Sequence, residues 1–300
     1  MSEQRADVGL IGLGAMGRPM AAHLLRAARE RGVELIVHSR RESSAAGLVA
    51  DGARWADTPR DVAARCDVVL TMLPDLPELD AVLDGDDGLL AGLARPSVLV
   101  VSSTSSPDGV RRLARDVADR TQGRLAVVDA PVSGGVEGAA EGSLSIMVGG
   151  ADDDVARVLP WLGVLGTPVH LGPVGAGEVA RACNQLIVAA TTVALGEASV
   201  IAERAGLDLG RLLDLLGGGY AGSRVLEVKR SRLVAHDHTP ASPARFMIKD
   251  LAFAAAEAES TGTAVEQLPV LQRVYREIAE RGLGDLDSSV VQRYVEERSI

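Results

Sequence analysis

The segment that most restricts how this chain can fold lies near its start. A short apolar run, Val8–Ile11, leads directly into Gly12-Leu13-Gly14-Ala15-Met16-Gly17, and a helical pattern follows from about Arg18 to Glu30. Strand, glycine turn and helix in that order predict the first unit of a parallel α/β sheet that binds a dinucleotide. Each glycine has its own reason to be there. Gly12 permits a tight turn, Gly14 lets the backbone approach a pyrophosphate, and Gly17 lets helix and strand pack closely. The opening turn of the helix has N–H groups to offer phosphates, so Leu13, Ala15 and Met16 join the glycines as cofactor-binding candidates. Glycines alone mark ordinary turns; the flanking strand and helix carry the reading.

The next stretch of chain fits such a sheet. Apolar runs at Val33–Val37, Val68–Leu73, Val98–Val101 and Leu125–Val128 alternate with Ala-, Leu- and Arg-rich helical segments. Continuous apolar strands between helices are the pattern of a parallel sheet covered on both faces. Leu144–Val148 and Val169–Leu171 read as further strands flanking a helix near Asp152–Leu162. Beyond Gly172 the strand signals stop. Helices are predicted over Glu178–Ala205, Leu207–Leu216, Ser223–Leu233, Ile248–Ser260, Glu266–Arg281 and Ser288–Glu297. The expected architecture is α/β: a Rossmann-type doubly wound parallel sheet in residues 1–171, then an all-helical domain in residues 172–300, joined by a long helix.

Composition agrees with two globular domains. The 300 residues are 47% hydrophobic and 24% charged but only 2% aromatic, so aliphatic side chains must build the core. A net charge of -10 with almost no stacking rings argues against nucleic acid as a partner. Cys66 and Cys183 show no paired spacing, so neither a disulfide framework nor a thiolate zinc site is expected, and no other metal site is predicted. The apolar run Leu186–Leu195 falls well short of the roughly 20 residues that span a bilayer, and no signal-type segment precedes it. The expectation is a soluble cytoplasmic protein without a membrane partner.

The end of the second strand separates the two nicotinamide cofactors. An acidic residue about 20 positions beyond the glycines would take the ribose 2′-hydroxyl of NAD. This chain reads His38-Ser39-Arg40-Arg41, with no carboxylate until Glu42. A hydroxyl and two guanidiniums suit a 2′-phosphate, so Ser39, Arg40 and Arg41 favour NADP over NAD. Leu73-Pro74 after the third main strand and Thr104 after the fourth stand at the carboxyl edge, where ligands of open α/β sheets bind.

Three further stretches carry chemistry. In Ser133-Gly134-Gly135 a hydroxyl and successive unencumbered N–H groups make an anion-binding turn. Gly177 opens the long helix, and Arg181, Asn184 and Gln185 follow at spacings that share one face, a polar cluster in an otherwise apolar helix. Lys249 begins the helical segment of Phe246-Met247-Ile248-Lys249-Asp250-Leu251.

Taken together with the glycine fingerprint and Ser103-Thr104-Ser105-Ser106-Pro107, the motifs Asp129-Ala130-Pro131-Val132-Ser133-Gly134-Gly135, Gly172–Gly177 with Arg181–Gln185, and Phe246–Leu251 resemble the β-hydroxyacid dehydrogenase family. That family includes 3-hydroxyisobutyrate dehydrogenase, tartronate semialdehyde reductase and the glyoxylate/succinic semialdehyde reductases. The resemblance covers nearly the whole chain, in the family's order. It implies hydride transfer between a nicotinamide cofactor and a small β-hydroxyacid or the matching semialdehyde. It further implies that Ser133, Gly134 and Gly135 hold the substrate carboxylate, that Arg181, Asn184 and Gln185 face the reacting oxygen, and that Lys249 reaches cofactor and substrate.

One departure stands out. The family has a lysine four residues after the glycine that opens the long helix, and this chain has Arg181. A lysine can act as a general acid, whereas an arginine, with a pKa above about 12, polarises a carbonyl but donates a proton poorly. Two other functions are compatible with the architecture: an imine reductase, disfavoured by a fixed guanidinium beside a cationic iminium, and a non-catalytic cofactor-binding scaffold. Leu186, Ala190, Val193, Ala194 and Ile201 recur at helical spacing, which predicts a homodimer or higher homo-oligomer in contact along the long helix.

Overall fold

All seven strands expected from apolar runs form, and two short ones join them. The computed structural model describes residues 7–299. Its strands are β1 (Asp7–Ile11), β2 (Leu35–His38), β3 (Arg54–Trp55), β4 (Cys66–Thr71), β5 (Ser97–Val101), β6 (Leu125–Asp129), β7 (Val132–Ser133), β8 (Leu144–Gly149) and β9 (Gly166–Gly172). The helices between them are α1 (Gly17–Arg31), α2 (Ala46–Ala50), α3 (Pro59–Arg65), α4 (Leu76–Leu83), α5 (Pro107–Thr121), α6 (Gly135–Glu141) and α7 (Asp152–Leu162). Then follow α8 (Ala176–Arg204), α9 (Leu209–Gly217), α10 (Arg224–Ala235), α11 (Phe246–Ser260), α12 (Gln267–Glu280) and α13 (Val291–Arg298). β3 and β7 are two residues each, too short to leave a readable period.

The strands form one sheet in the order β3-β2-β1-β4-β5-β6-β8-β7, with β9 on β8. Pairing is parallel from β3 to β6, and β1 sits where the strand order reverses, so the crevice for a ligand opens at the carboxyl ends of β1 and β4. The expected parallel sheet forms and carries one antiparallel edge. β8 runs antiparallel to β6 and β7, because the chain returns from β7 through the short α6 on the same edge instead of crossing over a face. Alternate residues of the central strands feed two cores. Val8, Leu10, Val98 and Val100 pack with α1 and α7, while Ile11, Leu99 and Val101 pack with α3, α4 and α5. That period of two across a fully covered sheet is why the runs read as continuously apolar.

Two compact units result, Met1–Arg181 and Ala182–Ile300. The division falls inside α8 rather than at Gly172, since an unbroken helix leaves no compositional mark where its neighbours change. In the helical unit, Ala189 and Val193 of α8 pack with Leu251, Leu271, Val274, Ile278 and Val291 around the fully buried Tyr275. Leu186 and Ala190 rest against that same core, so of the stripe expected to make a subunit contact only Ala194 and Ile201 are exposed, joined by Ile187. Among the described residues α8 is the one helix long and apolar enough to cross a membrane. Its best window has mean hydropathy 1.6, with half of that window buried inside the protein. The small residues flanking Leu186–Leu195 extend the apolar stretch beyond the length the sequence reading gave it.

Candidate active site

At the end of β1 the backbone leaves no room for side chains at two of the three glycines. Gly12 has φ +105°, and a Cβ there would stand 2.3 Å from the Met72 carbonyl oxygen; a Cβ on Gly17 would stand 1.9 Å from the Gly12 oxygen. Gly14 differs: its φ is ordinary, it is exposed, and a Cβ would meet nothing within 4 Å. Its small size serves something outside the chain. The start of α1 supports this, because Met16 at its N-cap makes no capping hydrogen bond and the first turn holds no acidic residue. α3, α4 and α5, by contrast, are capped by Thr58, Asp75 and Ser106. Uncapped N–H groups, a positive helix end and an open glycine fit the pyrophosphate of a dinucleotide.

Beside this turn, His38 closes β2, stacking on Trp55 with ring centroids 5.5 Å apart and its Nδ1 2.9 Å from the Ala56 carbonyl. Arg40 and Arg41 follow, exposed, lining a surface pocket and engaged by no carboxylate among the described residues. Past β4, the Leu73 N–H donates to Ser103 Oγ at 3.1 Å, which ties the Leu73-Pro74 turn to the loop beyond β5. On that loop Thr104 Oγ1 accepts from Arg181 Nε at 2.9 Å. The candidates at the carboxyl edge of this unit are thus joined by hydrogen bonds into one rim: Leu73 to Ser103, and Thr104 to Arg181.

Two residues that sequence reasoning gave no role hold Arg181 in place. Asp129 ends β6 with no exposed surface, and its carboxylate accepts the N–H groups of Gly175 at 2.7 Å and Glu178 at 2.9 Å, capping α8. Burial pushes the Asp129 carboxyl above its usual range, against the pull of those donors. Glu178 is 1% exposed and accepts the Ser105 N–H at 3.0 Å. The helix that carries Arg181 is therefore fixed at its first turn both to β6 and to the Thr104 loop. A carboxylate directly after an apolar strand, and another in the first turn of a long helix, were the signals available. Nearby, Ser133 ends β7, and Gly134 (φ +139°) and Gly135 (φ +67°) turn the chain into α6 through exposed backbone without a side-chain cap. Positive φ at both positions favours glycine.

The helical unit carries the remaining candidates. Gln185 does not face an open cleft. It is 5% exposed, its Oε1 accepts from Asn184 Nδ2 at 3.0 Å, and its Nε2 donates to Asp250 Oδ2 at 2.5 Å and approaches Met247 Sδ at 3.7 Å. Both ends of the amide are spent on α8 and α11, which makes Gln185 a positioning residue for Asn184 and for the Met247–Asp250 turn. Asn184 and Lys249 are half-buried, and the Lys249 ammonium lies 5.5 Å from the centroid of the Phe253 ring.

Residues 7–175 match the family model of the NAD binding domain of 6-phosphogluconate dehydrogenase, and residues 175–295 that of the NAD-binding region of NADP-dependent 3-hydroxyisobutyrate dehydrogenase. The NAD-dependent L-serine dehydrogenase of Pseudomonas aeruginosa is 35% identical over 295 residues, covering 96% of this chain and 97% of that one. The 2-hydroxy-3-oxopropionate reductase of Escherichia coli is 36% identical with the same coverage. The chain belongs to the β-hydroxyacid dehydrogenase family. A crystal structure of 3-hydroxyisobutyrate dehydrogenase from Salmonella typhimurium, 27% identical, has the same fold with a TM-score of 0.85 over 97% of this chain and all of that one. Within a β-hydroxyacid dehydrogenase the rim just described takes on a definite meaning. Gly12–Gly17 would hold the nicotinamide cofactor by its phosphates, and the open space above Gly14 fits that group. Arg181, four residues after Gly177, has its Nε bound to Thr104.

Proposed function

We propose that this protein is an NADP-dependent oxidoreductase acting on a small β-hydroxyacid or the corresponding semialdehyde. The observation that carries the reading is Arg181 Nε bonded to Thr104 at 2.9 Å, on the sheet edge where the fingerprint turn also ends. A cation held there can stabilise the negative charge that develops on a carbonyl oxygen being reduced, and charge stabilisation of that kind is the largest single contribution in many enzymes. When bound, the cofactor supplies or accepts a hydride at the nicotinamide ring. The chain's own residues do the rest. Ser133, Gly134 and Gly135 bind the substrate carboxylate, Arg181 polarises the oxygen, and Asn184, held by Gln185, orients it. On the family's pattern Lys249 or a water supplies the proton that a guanidinium cannot release. Preference for NADP is supported by Arg40 and Arg41, which no carboxylate among the described residues engages and which can grip a 2′-phosphate through several hydrogen bonds.

A screen of small hydroxyacids, semialdehydes and cyclic imines, each with NADPH/NADP and NADH/NAD and followed by cofactor absorbance, tests the proposal. Turnover of a carboxylate-bearing substrate with the phosphorylated cofactor is expected. Turnover confined to imines, or tighter binding of NADH than NADPH, would overturn it.

A further inference from the structure

Between α10 and α11, residues 238–245 form no helix or strand of their own, yet they are laced to residues 284–289 ahead of α13. The Asp287 N–H donates to the His238 carbonyl, Ser288 to Ser242, Ala244 to Leu286 and Arg245 to Gly284, over 2.9–3.1 Å. The strap in turn carries the start of α11. Pro243, Ala244 and Arg245 accept the N–H groups of Phe246, Met247 and Ile248, each at 3.1 Å. The first residues of α11 include Lys249, together with Met247 and Asp250, which engage Gln185 and through it Asn184. The course of the strap therefore decides where these candidates stand.

At the far end of the strap His238 is 8% exposed. Its Nδ1 lies 2.9 Å from Ser289 Oγ, and its Nε2 is buried with no hydrogen-bond partner among the described residues. In the neutral ring that carries its proton on Nδ1, that nitrogen donates to the serine and Nε2 is a bare lone pair. Protonation would add a charge and an N–H at Nε2, where no acceptor waits, and a buried charge without a partner is costly. The charged groups that face the ring are Asp237 on the approach to the strap, His236 at the end of α10, Asp287 ahead of α13 and Arg293 on α13. Asp287 already accepts from Lys229 of α10 and from the Ser242 and Ser289 N–H groups. Burial, with His236 and Arg293, outweighs the two carboxylates and holds His238 below the usual histidine range.

We propose that His238 is a positioning residue that makes the site sensitive to acid: neutral, its ring anchors the strap that places Lys249 and Asn184; protonated, it leaves its pocket and the strap loosens. The roles of Lys249 and Asn184 rest on the reaction proposed above; the clasp itself does not. An unfolded histidine takes up its proton near pH 6.5, and the folded one does so only at lower pH. The stability contributed by the clasp is thus whole above about pH 6.5 and is lost as pH falls through the folded value. Carboxylates titrate near 4, so Asp287 keeps its charge across that window.

The test follows amide hydrogen exchange of the full chain by mass spectrometry at about pH 7.5 and about pH 5, corrected for the intrinsic pH dependence of exchange. Peptides across residues 237–250 should exchange about threefold faster or more at the lower pH, while those from β1 and β4 do not change. His238→Asn keeps an amide within reach of Ser289 and cannot be protonated, so its exchange should be the same at both pH values. On the substrate found by the screen, kcat should fall over the same window in the parent protein and much less in His238→Asn. Exchange in the parent protein that is no faster near pH 5 overturns the clasp and needs no variant to show it. Equal acceleration in a folded His238→Asn overturns it as well, and a level kcat in the parent protein while the strap opens overturns the positioning role. Absence of turnover on every substrate counts against the proposed reaction, whereas the exchange measurement judges the clasp by itself.

Discussion

Arg181 is the residue on which the proposed reaction turns. On that proposal a guanidinium polarises the substrate oxygen but leaves the proton to another donor. Restoring the family's lysine by Arg181→Lys should raise turnover on the true substrate, plausibly by about tenfold or more, because general acid catalysis contributes 10² to 10⁴ in typical cases. NADPH affinity should hardly move, since on the proposed reading Arg181 serves the substrate and the fingerprint turn serves the cofactor phosphates. Steady-state kinetics and cofactor titration of both forms check this. A fall in turnover would mean that arginine is the adapted residue, gripping an anionic group with its planar fork.

At the scale of elements, the β1–α1 turn separates what folding requires from what binding requires. Gly17→Ala forces a methyl to within 1.9 Å of a backbone oxygen and should destabilise the unit by several kcal/mol or prevent folding. Gly14→Ala meets nothing within 4 Å at ordinary φ, so its thermal midpoint should match the parent's. Its NADPH dissociation constant should nevertheless rise about tenfold or more, since the methyl occupies the space needed by the phosphates. A Gly14→Ala variant that binds NADPH normally would show that the turn serves only the fold. In the helical unit, the segment before α13 depends on one ion pair. Asp287 has no exposed surface, sits 2.7 Å from the Lys229 ammonium and accepts the N–H groups of Ser289 and Ser242. Burial alone would raise its carboxyl, but Lys229 and the two N–H donors outweigh that and hold it below its usual range. A depressed folded pKa gives stability that is present above the unfolded value of about 3.9 and is lost as pH falls through the folded value. Urea unfolding should therefore show the helical unit weakening on acidification below about pH 4. Asp287→Asn should be less stable at pH 7, by about 3 kcal/mol, and less sensitive to acid.

For the whole molecule, the exposed side of α8 makes a case for assembly. Ile187 is 66% exposed and Ile201 69%, with Ala194 exposed between them on the same helix. Large aliphatic side chains aligned along a 29-residue helix form a surface that solvent alone rarely covers. The resulting prediction is a homodimer at micromolar concentration by light scattering, converted to monomer by Ile187→Glu combined with Ile201→Glu. A monomeric parent protein would refute it.

The sequence by itself determined the strands that fill the sheet's interior, the fingerprint turn, the helical second half and the family. These signals are local: a strand, a turn or a helix face is written within a dozen or so residues, because a covered sheet demands an apolar run and a phosphate turn demands glycine where it does. Which side chains are spent inside the protein was decided only by tertiary contact. Gln185 reads as a substrate-facing amide until Asp250, 65 residues away, takes its donor. Asp129 reads as part of a loop motif until the N–H of Glu178, 49 residues on, makes it the cap of α8. The reversal of β8 and the meeting of His238 with Ser289 belong to the same class. Hydrogen-bond partners are fixed by which distant segments the hydrophobic cores bring together, and no spacing along the chain encodes that.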